Sequence, residues 1–232
     1  MRKNILKIVG IFIFGMAGGI FADQILWPYF IERPLFYQYR LEQSPVYLTE
    51  RKEVTIQENV ALKNAVEKVE KVVVGVKSKT KDGGILEGSG LLVTSDGLLT
   101  TLAELVPQGS NFTFSVSGKA LPFQILKRDL ENNLALIKVG ATNLSTIGFA
   151  DFARLKLGER VFLVGASPLS VNEGIVKSFD DDFIQTNIIE KISLQGSPLF
   201  NIEGEVLGLN IVNKAGEISA IPISKIRPFV GF

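Results

Sequence analysis

The chain has 232 residues, 46% hydrophobic and 21% charged, enough for one sizeable core or for two small barrels sharing an interface. Lys+Arg number 25 against 24 Asp+Glu, and a net charge of +1 gives no electrostatic reason to expect a nucleic-acid partner. Cys and His are both absent, which excludes disulfides, thiolate metal sites, a cysteine nucleophile and the imidazole that hydrolases most often use as a general base, and no metal or cofactor is expected.

Arg2, Lys3 and Lys7 precede an apolar run from Ile8 to Ala22. The run falls short of the roughly 20 residues a spanning helix needs. It lengthens to residues 5–22 once Ile5 and Leu6 join and Lys7 snorkels to the headgroups. Trp27, Tyr29 and Phe30 then suit an interfacial aromatic belt. The prediction is an anchor over residues 1–24 in an inner or plasma membrane. The alternative is a signal peptide cleaved near Ala22, with Ile20 and Ala22 at the −3 and −1 positions, giving a secreted protein. Either way the positive end stays cytoplasmic and the remainder lies outside. Gly15 and Gly19 form a G-x-x-x-G, a dimerisation face or simply the small residues common in such segments. The oligomeric state is not legible.

Residues 25–55 read as a stalk, aromatic and charged without periodicity. Thr55-Ile56-Gln57-Glu58 has the form of a capping box, and Leu62, Ala65, Val66 and Val69 follow at helical spacing, predicting a helix over Glu58–Glu70. Short apolar or alternating runs come next: Val72–Lys77, Gly90–Thr94, Leu98–Leu102, Phe112–Val116, Pro122–Arg128 and Leu134–Val139. A second set covers Arg160–Gly165, Gly174–Ser178, Phe183–Asn187, Pro198–Phe200, Glu205–Val212 and Ile218–Pro222. Strands at this spacing without intervening helices indicate an all-β sandwich or barrel. The polar link Ala141–Gly158 divides the sets, so one domain is expected over residues 56–150 and another over 151–232.

Gly88-Ser89-Gly90-Leu91-Leu92-Val93-Thr94-Ser95-Asp96-Gly97 resembles the first-barrel hairpin of the HtrA/Deg group of trypsin-like serine proteases. Asn133-Leu134-Ala135-Leu136-Ile137-Lys138 is similar to that family's D-L-A-V-L-K strand, and Gly165-Ala166-Ser167-Pro168 with Gly174-Ile175-Val176 to its G-N-P and G-I-V segments. Gly196-Ser197-Pro198-Leu199, Gly204–Asn210 and Ala220-Ile221-Pro222 continue the match in order. The resemblance implies a chymotrypsin/trypsin-like double β-barrel, two perpendicular six-stranded barrels with a cleft between them, preceded here by a short helix and an N-terminal membrane anchor. It also locates the family's catalytic positions. Glu104 stands where the family has His, Asn133 where it has Asp, and Gln195 where it has the nucleophilic Ser. Ser193 occupies the place of a Gly that helps shape the oxyanion hole, so Ser193 and Gln195 mark that former region.

An amide is no nucleophile, a carboxylate with an ordinary pKa of about 4.3 is a poor proton shuttle near neutrality, and Asn cannot stabilise an imidazolium. No catalytic residue is therefore assigned, and the chain reads as a pseudoprotease. A Ser–Lys dyad from Ser193 or Ser197 with Lys191 is the unconventional alternative, and a filled, purely architectural domain is the third reading. Asp180-Asp181-Asp182 offers carboxylates for a hard cation but reads more simply as a charged turn. A retained cleft implies an extended peptide or protein partner added as a strand at Ile211, Val212 and Asn213. Only a short helix near Ile223–Val230 is expected after the second barrel, leaving no room before Phe232 for the PDZ domain the family usually carries.

Overall fold

The apolar N-terminal run forms a helix because nothing in it breaks one. The computed structural model describes residues 2–31 and 60–232, in two units, Met1–Val54 and Thr55–Phe232. In the first, helix α1 (Arg2–Phe21) runs into a π-helical stretch, Ala22–Ile31. The stretch Lys3–Ile25, 23 residues, is long and apolar enough to cross a membrane, since at 1.5 Å per residue it exceeds the roughly 30 Å of hydrocarbon. Trp27 follows it and is exposed. The side chains of Tyr29 and Phe30, most of the stalk and the capping box at 55–58 lie outside the described residues.

In the second unit, helix α2 (residues 60–69) passes into a 3-10 turn, Glu70–Val72. Its periodic apolar face is buried as expected: Ala65 and Val69 are in the core, and Leu62 and Val66 pack against it. Seven strands follow: β1 (Val73–Lys79), β2 (Ile85–Leu92), β3 (Leu98–Leu102), β4 (Asn111–Val116), β5 (Lys119–Leu121), β6 (Phe123–Asp129) and β7 (Leu134–Val139). They make one sheet in the order β5-β4-β1-β2-β3-β7-β6. Its two edge strands, β5 and β6, are separated in the chain by Pro122 alone. Proline has no N–H to give a ladder and fits such a corner, and its carbonyl accepts from Gly140 N–H at 2.7 Å. The expected six-stranded ring is thus a seven-stranded sheet whose ends meet through the backbone at a bend and not through a ladder.

The second set is β8 (Arg160–Ala166), β9 (Leu169–Phe179), β10 (Ile184–Ile189), β11 (Pro198–Asn201), β12 (Val206–Val212) and β13 (Glu217–Pro222), followed by helix α3 (Ile223–Val230). These six strands close into a barrel in the order β10-β13-β12-β11-β8-β9. The described chain is thus mostly β, with one closed barrel, one sheet curled toward closure and an N-terminal apolar helix, the double-barrel arrangement that the resemblance implies.

The apolar run of β8 has no polar alternation because both its faces are covered. Val161 and Leu163 fill the interior of the second barrel with Val176, Ile184, Leu199 and Leu207. Phe162 and Val164, on the opposite face, join the larger core that includes Phe114, Leu91, Leu99 and Ile137 of the first sheet. Phe162 and Phe200 stack there with ring centroids 5.4 Å apart. One apolar core therefore bridges both strand sets and fixes the seam on which the site lies. β2 begins five residues before the predicted strand, since Lys79 pairs with Ile85 and the ladder zips from that turn. Its glycines weaken the strand signal but suit close approach: a β-carbon on Gly88 would lie 2.5 Å from the Gln195 carbonyl oxygen.

Candidate functional site

Three loops deliver the positions singled out from the sequence. Glu104 sits in a 3-10 turn, Ala103–Leu105, directly after β3. Asn133 precedes β7 with φ 53°, a left-handed conformation that Asn tolerates better than most residues. The β3–β7 ladder pairs Leu102 with Leu134, and Ala103 N–H donates to the Asn133 carbonyl at 3.1 Å, so the two positions become neighbours. Gln195 follows another 3-10 turn, Ile192–Leu194, and its carbonyl accepts from Ser89 N–H of β2 at 2.8 Å. Glu104, Asn133 and Gln195 are brought together, 91 residues apart at the extremes.

They form one hydrogen-bonded chain. Asn133 accepts from Glu104 N–H at its Oδ1 (3.0 Å) and donates from Nδ2 to Glu104 Oε1 (2.9 Å). The same Oε1 accepts from Gln195 Nε2, and Gln195 Oε1 accepts from Val212 N–H at 2.9 Å. Gln195 is only 5% exposed, whereas Glu104 faces solvent. A cleft of about 370 Å³ opens above Glu104 and Gln195, walled by Ile85, Leu86, Glu87, Leu105 and Ile192. None of these wall residues carried a sequence signal. They assemble only because β2 crosses the Gln195 loop.

The segment at Ser193 and Gln195, where the resemblance implies an oxyanion region, is folded inward. Gln195 N–H donates to the Ile192 carbonyl at 3.0 Å inside the 3-10 turn, so it cannot also point at a ligand oxygen. Ser193 is half-buried, Lys191 is exposed, and no hydrogen bond joins them among the described residues. Ser197 is fully buried, and its Oγ accepts from Asn210 Nδ2 at 3.0 Å. Leu102 and Leu194 are buried in the cores and do not line the cleft, whose floor includes the buried Gln195. The candidate peptide edge is occupied in part. Ile211 pairs with Ser219, Val212 N–H is taken by Gln195, and Asn213 spends its side chain on Ala215, Glu217 N–H and the Glu217 carboxylate in the β12–β13 turn. An added strand would have to displace the Gln195 carboxamide. Asp180 accepts from the backbone N–H groups of Asp182 and Phe183 at 2.8 Å each, and Asp182 pairs with Lys225, the arrangement of a charged turn.

Truncating Gln195→Ala removes the acceptor of Val212 N–H, a buried donor, and is expected to cost about 1–3 kcal/mol. A denaturant midpoint that does not move would show that water replaces the carboxamide there. The Asn133 turn has its own anchor in Asp129. Its carboxyl is held below the ordinary carboxylate range by the Asn132 side chain first, then by the backbone N–H groups of Asn132 and Glu131. A lowered folded pKa means that this contribution is present above the unfolded value of about 3.9 and lost as pH falls through the folded one. Asp129→Asn is therefore expected to flatten the loss of stability below about pH 4, read as a shallower acid-unfolding curve than the parent's.

The trypsin-like peptidase domain family matches residues 88–209, more than half of the chain. A protein of Halomonas elongata named probable periplasmic serine endoprotease DegP-like is 33% identical over 136 residues, 53% of this chain and 28% of that one. Serine protease HTRA1A of Danio rerio is 32% identical over 192 residues (72% of this chain, 40% of that one), and serine protease HTRA1 of Xenopus laevis 35% over 162 residues (62% and 35%). The chain thus spans between about a quarter and two-fifths of the length of these relatives. With this match laid over a closed six-stranded barrel and its partner sheet, the chain belongs to the trypsin-like peptidase domain family and has HtrA/DegP-type homologues.

Proposed function

We propose that this chain is a catalytically silent member of its family, anchored by its N-terminal helix and displaying its barrels outside the cytoplasm, where the old cleft binds a segment of another protein. The observation that carries the reading is the chain from Asn133 through Glu104 and Gln195 to Val212 N–H. Peptide-bond cleavage of this type needs a hydroxyl whose proton passes to a base and back to the leaving amine. Two carboxamides and one carboxylate offer no such hydroxyl, and the oxyanion donor at Gln195 is turned inward. Among the described residues no base contacts Ser193 or Ser197, the two serines nearest position 195, which favours silence over an unconventional dyad. Orientation follows from the basic residues before α1, and the name of the Halomonas relative places that protein in the periplasm.

The full chain in detergent, incubated with unstructured casein and with a fluorophosphonate probe, is expected to give neither cleavage nor a labelled residue. A labelled Ser, lost in Ser193→Ala or Ser197→Ala, overturns the reading. The buried Gln195 at the cleft favours the architectural reading in part, but the exposed Ile85 and Ile192 on its walls favour binding.

A further inference from the structure

Resting on the reading that this cleft binds a protein segment, we infer that it recognises an arginine side chain through Glu104, and does so without adding a strand. Glu104 Oε1 is shared by two neutral amides, Asn133 and Gln195, which orient the carboxylate without neutralising it. No ion pair or further hydrogen bond reaches its other oxygen among the described residues. The second carboxylate of the cleft is already compensated, since Glu87 pairs with Lys77 at 2.7 Å. One oriented negative charge with no counter-ion among the described residues therefore stands in a cleft of about 370 Å³.

The walls select among cations. Ile85, Leu86, Leu105 and Ile192 suit the methylene stem of a long side chain, and Ile85 and Ile192 are 59% and 64% exposed. A guanidinium is planar, more weakly hydrated than an ammonium and rich in donors, which favours it between aliphatic walls beside a carboxylate oxygen. Lys191 and Lys214 line an adjoining depression that shares Ile192 with the cleft, and neither forms an ion pair with Glu104 among the described residues. Strand addition at β12 is disfavoured because Gln195 already holds Val212 N–H.

The test uses the full chain in detergent and two fluorescein-labelled pools of acetylated pentapeptides, with Arg or its neutral isostere citrulline at the centre and Ala, Ser, Val or Leu at the flanks. Anisotropy is expected to show the Arg pool binding at least about tenfold more tightly at low salt, an advantage that shrinks as salt is raised. Glu104→Gln keeps the size and is expected to erase the preference, while Glu203→Gln, in a depression apart from this cleft, keeps it. Saturable binding of both pools with equal affinity, or an Arg preference that survives Glu104→Gln, overturns the arginine inference and leaves peptide binding standing. No binding of either pool overturns both. A loss of self-association in Glu104→Gln without any peptide binding gives the cleft to a second copy of this chain and also overturns the inference.

Discussion

Gly196→Ala is expected to destabilise the barrel unit by about 2–6 kcal/mol, on the order of the whole margin of many domains. Two costs combine. Gly196 has φ +71°, so any side chain there carries backbone strain of roughly 1–3 kcal/mol. A β-carbon would also lie 2.4 Å from the Ser89 carbonyl oxygen and 3.0 Å from both Leu105 Cδ1 and Thr101 Oγ1. The first of these atoms is backbone and cannot swing aside, so the Gln195 loop and β2 must separate, an overpacking cost of about 1–3 kcal/mol. That separation would stretch the Ser89 N–H bond to the Gln195 carbonyl and the Gly196 N–H bond to the Asn210 carbonyl, each 2.8 Å. Gly118→Ala is the matched control. Its φ is +77° but nothing lies within 4 Å, so only the conformational cost of about 1–2 kcal/mol remains. Guanidinium unfolding of both variants measures the difference, and equal midpoints would show that the seam between β2 and the Gln195 loop relaxes freely.

The same seam marks the limit of what the sequence discloses. The strands were legible because Leu91, Leu99, Ile137, Leu163 and Leu209 sit in short runs with turn residues between them, and burial on both faces explains why β8 reads as continuous. The helix Ile223–Val230 lies where it was expected. β5 was missed because three residues, Lys119–Leu121, offer no pattern, and β9 extends beyond its predicted Gly174–Ser178 core because pairing with β8 carries the ladder back to Leu169. At the site, the motif positions of Glu104, Asn133 and Gln195 were readable, but their joining into one polar chain was not. Hydrogen bonds between residues 29 and 91 apart leave no local trace in composition or periodicity. The capture of Val212 N–H by Gln195 was likewise invisible, although it changes what the β12 edge can do.

Installing the residues that the family resemblance implies at these positions, with Glu104→His, Asn133→Asp and Gln195→Ser, is expected to leave hydrolysis at or near background. The substitutions supply a hydroxyl, an imidazole and a carboxylate at positions already within hydrogen-bond reach of one another. Asp tolerates the left-handed backbone at 133, and removing Gln195 frees Val212 N–H for a substrate strand. The missing part is electrostatic. The backbone N–H at 195 is bonded to the Ile192 carbonyl inside the 3-10 turn Ile192–Leu194, and losing one oxyanion donor typically costs about 10²–10³ in rate. Adding Ser193→Gly lowers the backbone cost of turning a peptide unit in that segment outward, because Gly reaches conformations that Ser does not. The fourfold variant is therefore expected to exceed the threefold one by on the order of 10²–10³ in casein cleavage, with covalent fluorophosphonate labelling of the new Ser as an independent readout. Equal activity in the two variants would place the block elsewhere, and labelling without cleavage would show an activated hydroxyl still lacking its oxyanion donors. A gain confined to the fourfold variant would mean that the silence proposed for this domain has two separable causes, its side chains at 104, 133 and 195 and a backbone turn that withholds its donor.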